Sequence, residues 1–143
     1  MTMASGIYVA TIRDAFKNVI ALDLDAGTDK CALYTTSLTP NFDADPSSYS
    51  TTNEVTGTGY TAGGLTVASP TVTGASGILT YDAADLSWTS STITAHGAVI
   101  YADGLTPKAN IVAVNFGADF STTSGTFQIT WNAGGIFTID LVP

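Results

Sequence analysis

A glycine-rich stretch, EVTGTGYTAGG at residues 54–64, has the composition of a loop that binds phosphate. Such a loop needs a buried strand before it and a helix N-terminus after it, because the helix supplies N–H groups and a favourable dipole. The flanking segments, SSYSTTN and LTVASPTVTG, have neither pattern. We therefore expect a structural turn with Tyr60 packed beneath it, in which at least one of four glycines has a positive φ. These glycines are Gly57, Gly59, Gly63 and Gly64.

Two groups of side chains have part of the spacing of a calcium-binding loop. The first group is Asp23, Asp25 and Asp29, and the second is Asn41, Asp43 and Asp45. Neither group has the glycine and the glutamate that such a loop requires at its sixth and twelfth positions. Asp and Asn also favour solvated turns, where they form local hydrogen bonds. We expect turns at both places and no metal site.

Residues for acid–base or nucleophilic catalysis are few. Asp82 and Asp85 form a glycosidase pair only if the fold places them across a sugar cleft, and nothing in the sequence indicates one. His96 is the single histidine, and the chain has no GxSxG nucleophile motif. We expect His96 to be an ordinary strand or interface residue. The sequence predicts no catalytic site and no cofactor.

The composition limits the partners that this chain can have. Its 143 residues are enough for one domain with a sizeable core. The formal net charge is −8, with four basic residues that do not cluster, so we expect no nucleic-acid partner. Apolar residues come in short runs, which predicts a soluble protein made in the cytoplasm, with no membrane partner and no secretory signal. The single cysteine, Cys31, rules out an internal disulfide, and we expect it to be buried.

One segment has the periodicity of a helix. In IYVATIRDAFKNVI, apolar residues recur at spacings of three and four, with polar and charged residues between them. This pattern predicts an amphipathic helix over roughly residues 5–20, with Ser5 as its N-cap. We expect an N-terminal arm of residues 1–20 and a β-sandwich domain of residues 21–143. Candidate partner contacts on the helix are Tyr8, Ile12 and Phe16.

From Lys30 onward the apolar residues follow a period of two, which is typical of strands. The first such segment is KCALYTTS, and five further segments are rich in Val, Ile, Thr and aromatic residues: GLTVASPTVTG, GILTYDAADLSWTSSTI, TAHGAVIYADG, NIVAVNFGADF and GTFQITWNAGGIFTIDLV. A polar loop of about residues 38–53 is long enough to indicate contact with a partner, with Phe42 and Tyr49 as candidates. The pattern predicts a mainly β protein with a single antiparallel β-sandwich or barrel-like domain.

The C-terminal segment TFQITWNAGGIFTIDL predicts a β-hairpin that turns at residues 132–135. Apolar residues alternate on both sides of that turn: Phe127, Ile129, Trp131, Phe137, Ile139 and Leu141. We therefore expect Trp131 in the core. Trp88 remains open between the core and an exposed platform on which a sugar would stack.

Several stretches together resemble a family of small structural proteins that tailed bacteriophages encode among their virion genes. They are EVTGTGYTAGG at 54–64, YDAADLSWTSSTITAHGAVIY at 81–101 and VNFGADFSTTSGTFQITWNAGGIFTI at 114–139. Phe16-Lys17 matches a Phe-Lys pair in the family's first helix, and KCALYTTSLTP at 30–40 loosely matches a KVAL-like strand ending in TSSYTP. The resemblance spans the chain from about residue 14. It departs at His96-Gly97, where the family has a bulkier, often basic and aromatic pair.

The resemblance implies a non-enzymatic virion component, and we expect a capsid decoration protein. Such a protein would bind the outer surface of the phage head as a homo-oligomer, for example a trimer, and stabilise the lattice of the major capsid protein. The acidic charge suits the outer face better than the DNA-filled interior. The alternatives are a tail, neck or fibre component, or a carbohydrate-binding module that adsorbs the virion to its host. Copy number distinguishes a decoration protein, with hundreds of copies per particle, from a tail, neck or fibre component, with a handful. Exposed coplanar aromatic rings would favour the carbohydrate-binding module.

Overall fold

The computed structural model describes residues 2–142, which form a mainly β fold with one short helix near the N-terminus. The elements in chain order are β1 (Gly6–Ile7), α1 (Val9–Phe16), β2 (Lys30–Tyr34), β3 (Leu65–Thr66), β4 (Thr71–Ala75), β5 (Ile78–Asp82), β6 (Leu86–Ser91), β7 (Thr94–Tyr101), β8 (Asn110–Ser121), β9 (Gly125–Ile129) and β10 (Phe137–Asp140). The predicted fold class is confirmed.

Three antiparallel sheets form the sandwich. The large sheet has the order β1-β8-β7-β2-β3, and two smaller sheets have the orders β10-β5-β4 and β6-β9. Apolar side chains from all three sheets meet in one core cluster. Its largest members include Leu33, Ile100 and Ile111 from the large sheet, and Tyr81, Trp88 and Phe127 from the smaller ones.

The large sheet is also covered on its other face. A second apolar cluster contains Tyr34 and Tyr101 from the sheet, Met3 and Tyr8 from the N-terminal segment, and side chains of the polar loop, including Phe42. As a result, four consecutive residues of β2, 31–34, are each at most 3% exposed. Burial on both faces explains why the segment CALY at 31–34 carries no charged side chain and does not alternate.

The predicted helix over residues 5–20 is wrong at both ends. Gly6 lies opposite Ala113 of β8, so residues 6–7 extend the large sheet. The Ser5 hydroxyl accepts a 2.8 Å hydrogen bond from the Asn115 N–H, and Tyr8 occupies the N-cap position without a side-chain cap. Pairing with the edge of β8 satisfies backbone groups at residues 6–7 that a helix would otherwise have used. The first part of the expected arm is therefore integral to the sheet.

The predicted C-terminal hairpin is also wrong. Phe127 of β9 pairs with Trp88 of β6, whereas Phe137 of β10 pairs with Tyr81 of β5. Residues 130–136 cross from one small sheet to the other, although a turn closes there as expected, with the Gly135 N–H bonded to the Asn132 carbonyl at 2.9 Å. Alternation assigns each side chain to a face, but it does not choose the partner strand.

Candidate interaction surfaces

The glycine-rich stretch 54–64 is built around one buried carboxylate. The side chain of Glu54 accepts hydrogen bonds from the hydroxyls of Tyr49 and Tyr60, each at 2.6 Å, and from the Gly63 N–H at 2.7 Å. The Tyr60 hydroxyl in turn accepts a 2.9 Å bond from the Leu33 N–H of β2. Burial and the bond to Glu54 raise the pKa of Tyr60, which stays a neutral donor. The network ties the turn to the large sheet.

All four glycines of this turn have positive φ, between 72° and 150°, which confirms the sequence prediction. Gly64 also lies against β2, because a Cβ added there would be 1.8 Å from the Cys31 carbonyl oxygen. The chain continues into the short strand β3 instead of a helix, so the helix N-terminus that a phosphate site requires does not follow the turn.

Several of the candidate metal-binding and catalytic side chains form local hydrogen bonds or ion pairs instead. Asn41 accepts a hydrogen bond from the Asp43 N–H at 3.1 Å, as in a turn, and Asp45 forms a 2.7 Å ion pair with Arg13, whose guanidinium lowers the pKa of that carboxyl. Asp82 and Asp85 bond to the backbone N–H groups of Ala83 and Trp131. Within residues 2–142, no three His, Cys, Asp or Glu side chains are grouped to hold a metal ion.

Asp29 differs from the other acids because it is only 3% exposed. Burial, together with the charge of Asp23, raises the pKa of Asp29 to about 7. In the described chain, neither its Oδ2 atom nor the buried hydroxyl of Tyr81 has a hydrogen-bond partner. The ionised form of this carboxyl therefore opposes folding, so the stability of the fold should decrease as pH rises.

His96 lies on β7 opposite a bulge in β8. Its Nδ1 atom is 2.7 Å from an Asp119 carboxylate oxygen in that bulge. In residues 2–142, no serine or threonine hydroxyl is bonded to His96, so the pair lacks the nucleophile of a catalytic triad. The pair is a hydrogen-bonded contact that ties the bulged part of β8 to β7.

The structure places Trp88, which the sequence left open, in the core and corrects the position expected for Trp131. Trp88 is 3% exposed and packs edge-on against Phe127, with ring centroids 6.1 Å apart. Trp131, expected in the core, is half-buried at its margin and donates its indole N–H to the Ala84 carbonyl. Burial of Trp88 rules out its use as an exposed platform on which a sugar would stack.

The five candidate contact residues divide into two groups. Tyr8, Phe42 and Tyr49 pack within the protein: Tyr8 is 4% exposed, its ring lies 5.1 Å from that of Phe42, and Tyr49 stacks on the core residue Tyr101. These three side chains cover the second face of the large sheet. Through Phe42 and Tyr49, the polar loop therefore packs on that sheet. Ile12 is half-buried, whereas Phe16 is 82% exposed.

Phe16 borders an apolar groove of about 380 Å³, here called the helix groove. The groove lies between α1, residues 22–25 and the sheet β10-β5-β4. Its walls are mostly aliphatic and aromatic: Ile12, Ala15, Phe16, Leu22, Leu24, Val72, Leu79, Phe137 and Ile139, with Asp23 and Asp25. Val19, just beyond α1, is 63% exposed. Exposed apolar surface of this kind makes the helix groove a candidate site for binding another protein.

A second groove, of about 500 Å³, runs along β9 and is here called the β9 groove. Residues 126–130 form one wall, and Phe116 and Phe120 of β8 form the other. The Phe120 ring is 51% exposed. Sequence reasoning missed this groove, although one signal was present: residues 120–139 contain no charged side chain.

No helix among residues 2–142 has the length and the apolar character needed to cross a membrane. Comparison with known protein families, with curated protein sequences and with solved structures finds no match to this chain. The resemblance to phage virion proteins is therefore a hypothesis that this chain's own residues and surfaces must support.

Proposed function

We propose that this chain is a non-enzymatic structural protein of a tailed-phage virion, which decorates the outer surface of the head and stabilises the lattice of the major capsid protein. The observation that carries the proposal is the 82% exposure of Phe16 beside the helix groove. Aromatic side chains that are exposed next to an apolar groove are typical anchors of protein interfaces.

The chemistry of the described residues favours a binding role over catalysis. The carboxylates at 45, 82 and 85 are engaged in an ion pair or in contacts with backbone N–H groups. A net charge of −8 disfavours the packaged DNA as a partner, and it is compatible with an outer position on the head. The sandwich core and the covered second face supply a rigid body on which a small attachment surface can be displayed.

The attachment surface in this proposal is the helix groove with Phe16 and Val19. Truncating a central aromatic anchor of an interface weakens binding by about 2 kcal/mol or more, which is at least roughly 30-fold. We expect Phe16→Ser to reduce binding to heads assembled from the major capsid protein of the same phage by at least that factor. Leu141→Ser is the matched control, because Leu141 is another exposed apolar residue, 64% exposed, that lines neither groove.

Co-sedimentation of the protein with purified heads, followed by quantitative gel analysis, measures both affinity and copy number. Hundreds of copies per head, lost in Phe16→Ser and retained in Leu141→Ser, would support decoration. A handful of copies per virion, located at the tail or neck, would contradict decoration and favour the tail, neck or fibre alternative. Binding to host glycans with no affinity for heads would instead favour an adsorption module.

A further inference from the structure

The outer edge of β9 is open. Within the described chain β9 pairs with β6 alone. In an antiparallel strand, every second residue directs its N–H and C=O groups away from that partner. Along residues 125–129 these outward groups form a template on which another strand can pair.

The opposite edge of this small sheet is protected at its end by the glycine turn. Thr92, just after β6, donates its N–H to the Thr58 carbonyl at 2.9 Å. A Cβ added at Gly59 would lie 2.7 Å from the Cα of Ser91, so the turn is in direct contact with the strand. The glycine turn therefore blocks pairing at the end of β6, whereas among residues 2–142 no strand pairs with the other edge of β9.

The surface beside the open edge is apolar and uncharged. Phe116 and Phe120 have ring centroids 6.4 Å apart and form the far wall of the β9 groove, with Phe120 half exposed. None of the residues that line the groove is charged, and residues 120–139 contain no Asp, Glu, Lys or Arg. Exposed edge strands are commonly protected by charged residues or proline. β9 has neither, which indicates that another chain covers it in the functional protein.

We propose that β9 pairs antiparallel with β9 of a second copy of this chain across a two-fold axis, with Phe120 of each copy covering the junction. A strand edge is complementary to itself under two-fold rotation, as an interface between identical chains requires. Two copies that each carry a net charge of −8 repel where acidic surfaces meet, whereas the β9 groove lets them approach without that repulsion. A strongly basic partner would gain no electrostatic attraction from this uncharged groove.

This interface lies apart from the helix groove, and the inference does not depend on the proposed capsid function. Sedimentation equilibrium of the full chain, from about 1 to about 100 μM, measures the dimer directly. The test variant carries Thr126→Glu and Gln128→Glu, two exposed β9 positions whose charges would face their copies across the axis. We expect the dissociation constant of the dimer to rise at least about tenfold.

The matched control carries Thr73→Glu and Thr138→Glu, which add the same charge at exposed strand positions of the sheet β10-β5-β4. We expect this control to remain dimeric. Circular dichroism and thermal unfolding check that both variants fold. Hydrogen exchange on the unsubstituted protein provides an independent measure, because amides of residues 126–129 should become more protected as concentration rises.

Three results would overturn the inference. The first is a protein that stays monomeric over the whole range, and the second is a trimer, whose closure requires a head-to-tail contact instead of a two-fold one. The third is a dimer that persists in the β9 variant. If the protein is monomeric and the β9 variant loses binding to heads, the groove belongs to the capsid partner. Loss of head binding through Phe16→Ser alone tests the proposed function separately.

Discussion

The hydroxyl of Tyr60 donates a 2.6 Å hydrogen bond to the buried carboxylate of Glu54, at the centre of the glycine turn. A third residue, Tyr49, donates to the same carboxylate from the polar loop. One acidic side chain thus joins the turn, the loop and, through Tyr60, the large sheet. These hydrogen bonds give the Glu54 carboxylate a role in the stability of the fold.

Replacing Glu54 should strongly destabilise the fold. Glu54→Ala leaves two phenolic hydroxyls and the Gly63 N–H without their acceptor, and we expect a loss of about 3 kcal/mol in the free energy of unfolding. Urea denaturation measures this loss. Asp43→Ala is the control, because Asp43 is exposed, and its replacement should change stability by less than about 0.5 kcal/mol. Equal effects of both substitutions would contradict the role given to Glu54.

Two glycines with the same φ of 72° separate backbone strain from steric contact. Gly27 has no heavy atom within 4 Å of an added Cβ, so Gly27→Ala should cost about 1 kcal/mol through φ alone. At Gly64 the added Cβ would lie 1.8 Å from a carbonyl oxygen of β2, so Gly64→Ala should cost more than about 3 kcal/mol or prevent folding. Thermal unfolding of both variants measures the difference. Similar unfolding temperatures would show that the turn does not press against β2.

Stability should fall as pH rises through the range set by Asp29. The pKa of this carboxyl is 3.8 in its ordinary state and about 7 when folded. Between these values the folded chain binds more protons than the unfolded chain, so the free energy of unfolding decreases with rising pH and levels off above about pH 7. The decrease that these two pKa values imply is up to about 4 kcal/mol, and we expect Asp29→Asn to remove most of it.

Urea denaturation at a series of pH values tests this prediction, with Asp43→Asn as the exposed control. The Asp45 and Asp103 carboxyls have lowered pKa values, owing to Arg13 and Lys108, and they act below about pH 4 in the opposite direction. The two effects therefore occupy different pH ranges. A wild-type profile that is flat between pH 4 and 7, or unchanged in Asp29→Asn, would contradict a raised pKa at this site.

Removing residues 1–20 should prevent folding. If residues 1–20 formed a separate arm, as the sequence predicts, their removal would leave a foldable sandwich. In the structure, Met3 and Tyr8 are buried against the large sheet and residues 6–7 form its edge strand β1. We expect the truncated chain to be insoluble or to lack a cooperative unfolding transition.

The matched comparison is Phe16→Ser combined with Val19→Ser in the full chain. Both side chains are exposed, so stability should change by less than about 0.5 kcal/mol. Circular dichroism and thermal unfolding distinguish the two cases. A truncated chain that folds with wild-type stability would contradict this prediction and show that residues 1–20 are a separate arm.

The amino-acid sequence alone determined the fold class, the strand-rich region after residue 30, the need for glycine at 57–64 and the absence of a phosphate-binding helix after that turn. These properties follow from local composition and from the period of the apolar residues, which neighbouring residues reveal by themselves. The helix was recognised, but both of its ends were misplaced. Its start was misplaced because helical periodicity does not reveal the long-range pairing of Gly6 with Ala113.

The tertiary structure decided which strands pair and which surfaces remain open. Phe127 and Phe137 have the alternation of a hairpin, yet they join different sheets, because partner choice depends on contacts distant along the chain. Tyr49 and Phe42 became a cover for the large sheet since its second face also had to be buried. The exposure of Phe16 and Phe120 is likewise decided by what the rest of the chain leaves uncovered, and both candidate interfaces follow from that physical fact.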